Sequence, residues 1–122
     1  MIVIRHAWAG DRDEWEGDDR RRPLDERGRK QAERLVEELA DRQIERILSS
    51  PYGRCVQTVE PLARARGLEI ELRDELGEKR QVPEGVQLAE QFKGQAVAIC
   101  VHGGLSEELV GQNLKKGKWL EV

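Results

Sequence analysis

Short apolar runs recur along the chain, and each is followed at once by polar residues and then by a helical pattern. The first is Ile2-Val-Ile4, wholly apolar and β-branched. The second spans Ile44 to Leu48, and the strongest is Ala96-Val-Ala-Ile-Cys-Val101. Apolar runs without alternation mark strands buried on both faces, which occur where helices cover both sides of a parallel sheet. Between the runs, Ala32, Leu35, Val36, Leu39 and Ala40 fall on one helical stripe, and Asp25 is placed to cap that helix. The spacing predicts this helix over Asp25 to Asp41. Ser50-Pro51 supplies a cap and a first-turn proline for a second helix, expected from Pro51 to Arg66 and stopped by Gly67. Pro61 predicts a kink or a break within it.

The remaining segments continue the alternation. Leu68 to Leu72 alternates apolar and charged residues, as an edge strand does. Asp74 to Glu84 is expected to be loop, Val86 to Phe92 a helix, Leu105 to Leu114 a helix, and Trp119 to Val122 a terminal strand. Gly10 to Pro23 is polar and carries charges of both signs, so it reads as a long loop. The predicted fold class is α/β: a mostly parallel central sheet with helices on both faces. The 122 residues suit one domain, 1–122.

Composition narrows the function. Lys and Arg number 21 against 24 Asp and Glu, a net charge of -3, which argues against a globally basic nucleic-acid binder. Cys55 and Cys100 stand far apart and outside any paired motif, so they are expected as buried thiols in a reducing compartment. No window is long and apolar enough for a membrane span or signal peptide, and a cytoplasmic, soluble protein without a membrane partner is expected.

Sheets of this kind bind ligands at the carboxyl ends of their strands. The chain has two histidines, and both follow predicted strands: His6 after the first and His102 after the strongest. Arg5 adjoins His6, and Arg54 falls in the first turn of the helix after the second strand, where free N–H groups favour an anion. Two imidazoles and two guanidiniums on one rim suit a phosphoryl group. Arginine forks match phosphate oxygens, imidazole is a nucleophile near neutral pH, and protein cations neutralise the transition state without a metal or cofactor. Trp8, Trp15 and Arg20-Arg21-Arg22 are read as a mouth that steers phosphorylated substrates, with Arg21 as a substrate-binding candidate.

Four ordered segments carry a resemblance: Val3-Ile-Arg-His-Ala7, Pro23 to Ala32, Ser49 to Thr58, and Val101-His-Gly-Gly104. Together they resemble the histidine phosphatase superfamily, of phosphoglycerate-mutase-like fold. The nearest likeness is to its small SixA-like phosphohistidine phosphatases. Through Gly17 to Leu24 the chain is also similar to the phosphatase domain of MutT-type Nudix fusions. The resemblance implies that His6 is a nucleophile forming a phosphohistidine, and that Arg5 and Arg54 clamp the phosphoryl oxygens. It implies that His102 stabilises the transferring group, with the Gly103 backbone close by. Leu76-Gly-Glu78 matches the family's Leu-x-Glu general acid, and Glu75 is a rival. Ala7 stands where many members have glycine, and the lid insertions of larger members are missing.

The expected partner is therefore a phosphorylated protein or a small-molecule phosphate. Phosphohistidine releases an imidazole and can dispense with a general acid; an ester releases an alkoxide and needs one. An open site suits a protein, so protein phosphohistidine is the leading expectation. If Glu78 points into the site, phosphomonoesters gain ground. A catalytically weak phospho-binding module is the alternative from another class.

Overall fold

A computed structural model describes residues 1–78 and 82–122. Five strands form one sheet: β1 (Ile2–Arg5), β2 (Arg46–Ser49), β3 (Ile70–Leu72), β4 (Val97–Val101) and β5 (Trp119–Glu121). Their order is β3-β2-β4-β1-β5, parallel throughout except for β5, which pairs antiparallel with β1. Among the described residues, four α-helices connect them: α1 (Glu26–Glu38), α2 (Gly53–Arg66), α3 (Val82–Glu90) and α4 (Gly103–Val110). The predicted fold class is the observed one.

The unalternating apolar runs are explained by the packing. Ile2 and Ile4 point into one core with Leu35, Leu39, Val59 and Leu62 of α1 and α2. Val3 points into the other with Leu88, Phe92 and Leu105, on the α3 and α4 side. Successive side chains of a strand face opposite ways, so covering both faces demands apolar residues at every position.

Asp25 caps α1 as expected, accepting the Gly28 amide at 2.8 Å. Gly67 ends α2 with φ +66°, a left-handed conformation glycine adopts without strain. Other boundaries differ from expectation. The helix runs through Pro61 without a break, because Cys55, Val59, Leu62 and Ala63 bury its inner face and hold both halves. Ser50 is not its cap: α2 starts at Gly53 after Tyr52, and the Ser50 hydroxyl is used elsewhere. Residues 74–76 form a short 3-10 turn and α3 begins at Val82, so helix replaces part of the expected loop. The fourth helix starts at Gly103 and stops at Gly111, earlier than Leu114. The loop from Gly10 to Pro23 contains two 3-10 turns, Arg12–Glu14 and Asp19–Arg21. Among the described residues, no helix is long and apolar enough to cross a membrane.

Candidate active site

The chain leaves β1, β2 and β4 at one rim of the sheet, and these three strands are neighbours. His6 follows β1, Ser50 follows β2, and His102 follows β4 as the cap residue of α4. The two imidazole centroids are 5.4 Å apart, with the rings edge to face. Both rings are nearly closed off, at 6% and 5% exposure.

His6 is oriented by its own backbone. Its Nδ1 lies 2.8 Å from the Ala7 carbonyl, which can only accept, so Nδ1 carries the proton and Nε2 keeps its lone pair. Burial drives the imidazole pKa down to about 3, and His102, Arg54 and Arg5 push the same way against the Ala7 carbonyl. The ring is therefore neutral at physiological pH, as a nucleophile must be. The segment after it is tied to α2, where Thr58 Oγ1 accepts the Ala7 amide at 2.9 Å.

It is tied to α1 as well, by a close approach. A Cβ at Gly28 would stand 1.9 Å from the Trp8 carbonyl oxygen, so only glycine lets the helix lie against this backbone. Gln31 adds two bonds, accepting the Trp8 amide at 3.0 Å and donating to the Lys116 carbonyl at 3.0 Å.

His102 Nε2 pairs with Ser50 Oγ at 2.9 Å, and Cys55 Sγ is 3.5 Å from the same nitrogen. Ser50 Oγ also accepts the Tyr52 amide, and its own proton is available to Nε2. When Ser50 donates to Nε2, the proton of His102 sits on Nδ1, on the side of Glu78. Cys55 and Cys100 are buried and free, as expected.

Arg54 is wholly buried. Its Nη1 donates to the Asp19 carbonyl, and its Nη2 meets carboxylate oxygens of Asp19 and Glu78. Glu78 also accepts from Arg12 at 2.6 Å and lies 3.9 Å from His102 Nδ1. Partial burial pushes the Glu78 carboxyl up, but the Arg12 hydrogen bond and the charges of Arg54 and Arg12 outweigh it and hold it below the ordinary carboxylate range. Asp19 is held down likewise, against its burial, by Arg22, Arg54 and Arg12.

Arg5 donates from Nη1 to the Leu114 carbonyl, and its guanidinium lies flat against Gly103, where a Cβ would come within 2.9 Å of Nη2. Among the described residues, the buried Arg5 Nε, Arg54 Nε and His102 Nδ1 find no hydrogen-bond partner. Donors left bare in this way are costly, and an oxyanion supplies the acceptors they lack.

The rim thus brings together His6, His102, Arg5, Arg54, Glu78 and Gly103. Four of these, Arg5, His6, Glu78 and Gly103, line with Arg12, Arg22 and Lys116 a cavity of about 690 Å³ that the buried Arg54 backs through its contact with Glu78. Arg21 is not among them. It is exposed on the outside of its 3-10 turn, and its neighbour Arg22 turns inward to bond the Ala9 carbonyl at 2.6 Å. Glu75 pairs with Arg73 and lines a smaller neighbouring cavity that also touches His102. Trp15 is exposed and bonds Asp18, whereas Trp8 flanks the cavity. Sequence reasoning missed Ser50, Asp19, Arg12 and Lys116; only the basic run Lys115-Lys116-Gly117-Lys118 carried a readable signal. Among the described residues, no cluster of His, Cys, Asp or Glu is placed to hold a metal ion.

The chain is similar to known proteins. The family model of the histidine phosphatase superfamily, branch 1, matches residues 1–82. SixA from Agrobacterium tumefaciens superposes with a TM-score of 0.74 at 32% identity, covering 89% of this chain and 72% of that one. A protein histidine phosphatase SixA, solved with tungstate, gives 0.72 at 27%, covering 92% and 78%. The 8-oxo-(d)GTP phosphatase of Mycolicibacterium smegmatis is 48% identical over 64 residues, 52% of this chain but only 20% of the relative. The family model spans about two thirds of the chain, and the chain belongs to the histidine phosphatase superfamily.

Proposed function

We propose that the chain hydrolyses phosphomonoesters of small molecules through a covalent phosphohistidine on His6. The observation that carries this reading is the position of Glu78, turned into the site against Arg54 and 3.9 Å from His102. A leaving alkoxide needs a proton, and a carboxyl group beside the phosphoryl site can supply it.

In the first step Nε2 of His6 forms a bond to phosphorus, and the ester P–O bond breaks with its electron pair on the leaving oxygen. Arg5, Arg54 and His102 bind the equatorial oxygens. Glu78 protonates the leaving oxygen. It is ionised while Arg54 holds it, but a phosphoryl dianion competes for that guanidinium and adds negative charge nearby, and both effects raise the carboxyl pKa. In the second step water attacks phosphorus and gives a proton to Glu78. The P–N bond breaks, its electrons return to His6, and phosphate leaves.

The 48% identity to an 8-oxo-(d)GTP phosphatase supports a small-molecule phosphate, although the shared segment is a fifth of that protein. The likeness to SixA favours a second reading, hydrolysis of phosphohistidine on a protein. Either reaction suits a soluble cytoplasmic enzyme that needs no metal.

The test is a rate comparison. Wild type should turn over p-nitrophenyl phosphate and a panel of sugar and nucleotide phosphates, and His6→Ala should not. Faster turnover of a phosphohistidine protein than of every ester would transfer the assignment to the second reading. Tight phosphopeptide binding with no turnover would make the chain a binding module.

A further inference from the structure

A second concavity, of about 670 Å³, adjoins the catalytic cavity and shares Arg5, Trp8, Arg27 and Lys116 with it. Its walls are cationic. Arg27, Lys30 and Arg34 project from one face of α1, spaced three and four residues apart. Lys115, Lys116 and Lys118 come from the segment before β5. The one carboxylate among the lining residues is Glu26, 3.7 Å from Lys30. Among the described residues, the side chains of Arg34, Lys115 and Lys118 have no ion pair. A net charge of -3 means that such a cluster is not a by-product of composition.

The cluster is built rather than hung on a loose loop. The Gly117 amide donates to the carbonyls of Arg5 and His6 at 3.1 and 3.0 Å, and the Arg5 amide donates to the Lys118 carbonyl at 3.0 Å. Arg5 Nη1 reaches Leu114, and Gln31 of α1 reaches the Lys116 carbonyl. Gly117 has φ +77°, and a Cβ there would stand 2.6 Å from the Gln31 amide, so both backbone and space call for glycine. The basic segment is therefore bolted to the strand that carries the nucleophile. Arg27 and Lys116 both lie over the Trp8 ring, at 4.2 and 4.4 Å, where the two concavities meet. Crowding like charges opposes folding, and an anion relieves it.

We infer that this concavity is a subsite for a second anionic group, a phosphate or short polyphosphate carried by the same small molecule whose phosphoryl group reacts at His6. The inference rests on the phosphatase reading above. A small molecule is favoured over a macromolecule because the site is concave, has the volume of a small-ligand pocket, and opens into the catalytic cavity. The chain as a whole is acidic, which disfavours a nucleic acid.

The experiment compares orthophosphate and tripolyphosphate as inhibitors of p-nitrophenyl phosphate turnover at constant ionic strength, with calorimetry in parallel. Tripolyphosphate should bind at least about tenfold tighter than orthophosphate. The double variants Lys30→Gln/Arg34→Gln and Lys115→Gln/Lys118→Gln should remove most of that preference while leaving kcat and orthophosphate inhibition unchanged. Equal binding of the two anions by wild type, or variants that keep the preference, overturns the subsite. Stronger inhibition by polyglutamate or single-stranded RNA than by tripolyphosphate overturns the small-molecule assignment. Absent turnover would defeat the phosphatase reading alone, because calorimetry still decides whether the second anion site exists.

Discussion

One carboxylate oxygen of Glu78, Oε2, touches the Arg54 guanidinium and stands 3.9 Å from Nδ1 of His102. In the reaction proposed above it lies beside the leaving group. If Glu78 is the proton donor, its removal should matter only when the leaving group needs a proton. Glu78→Gln should lower kcat on alkyl phosphates by about 100-fold or more, and much less on p-nitrophenyl phosphate, whose phenolate leaves readily. The ratio of the two rates in variant and wild type is the measurement. A uniform loss on both substrates would make Glu78 a structural partner of Arg54 and Arg12.

His6 should govern the acid side of both rate and stability. Its folded pKa of about 3 lies below the 6.5 of free histidine. Between those values the unfolded chain binds a proton that the folded chain does not, so stability falls as pH drops through that window. The lowered carboxyl pKa values of Glu78 and Asp19 act in the same direction at still lower pH. Thermal unfolding of wild type should weaken steadily from pH 6.5 to 4, and His6→Gln should flatten part of that slope. The acid limb of kcat/KM assigned to the nucleophile should fall well below pH 6.

Gly28→Ala tests the seam between α1 and the segment after the nucleophile. The added methyl would meet the Trp8 carbonyl oxygen at 1.9 Å, against backbone that cannot swing aside. A loss of about 3 kcal/mol or more is expected in urea unfolding. Gly111→Ala would be a poor control because of its φ of +76°, so an exposed α1 site such as Glu33→Ala should serve, with little effect.

Ser50→Ala removes the partner of His102 Nε2 and the acceptor of the Tyr52 amide, both buried. A cost of about 1–3 kcal/mol in stability is expected from the unsatisfied groups. If the hydroxyl sets which nitrogen of His102 carries the proton, kcat should fall while KM stays close to wild type. Unchanged kcat would mean that the tautomer is set elsewhere.

The strands and the rim were legible because burial on both faces leaves an unmistakable apolar run, and a polar residue directly after it must lie at the sheet edge. His6 and His102 followed from that, Arg5 as the neighbour of His6, and Arg54 from its place in the first turn of the helix after the second strand. Local signals failed where a distant partner competes for a side chain. Ser50 before Pro51 has the form of a cap, but its hydroxyl goes to His102, 52 residues away. Arg20, Arg21 and Arg22 are indistinguishable in a polar run, and only the 3-10 turn decides that Arg22 faces Ala9 and Asp19. Pro61 breaks a helix standing alone, and not one whose inner face is packed on both sides of it. Residues 79–81 of the expected Asp74 to Glu84 loop lie outside the described residues.

The amide of His6 donates to the Val101 carbonyl at 3.1 Å, extending the β1–β4 ladder to the residue before His102. The separation of the two imidazoles is therefore inherited from the spacing of adjacent strands, which is nearly the same in every sheet. A lineage built on this frame can alter its loops, and with them the molecule it recognises, without retuning the distance between the two imidazoles. Selection on chemistry and selection on specificity then act on different parts of the chain.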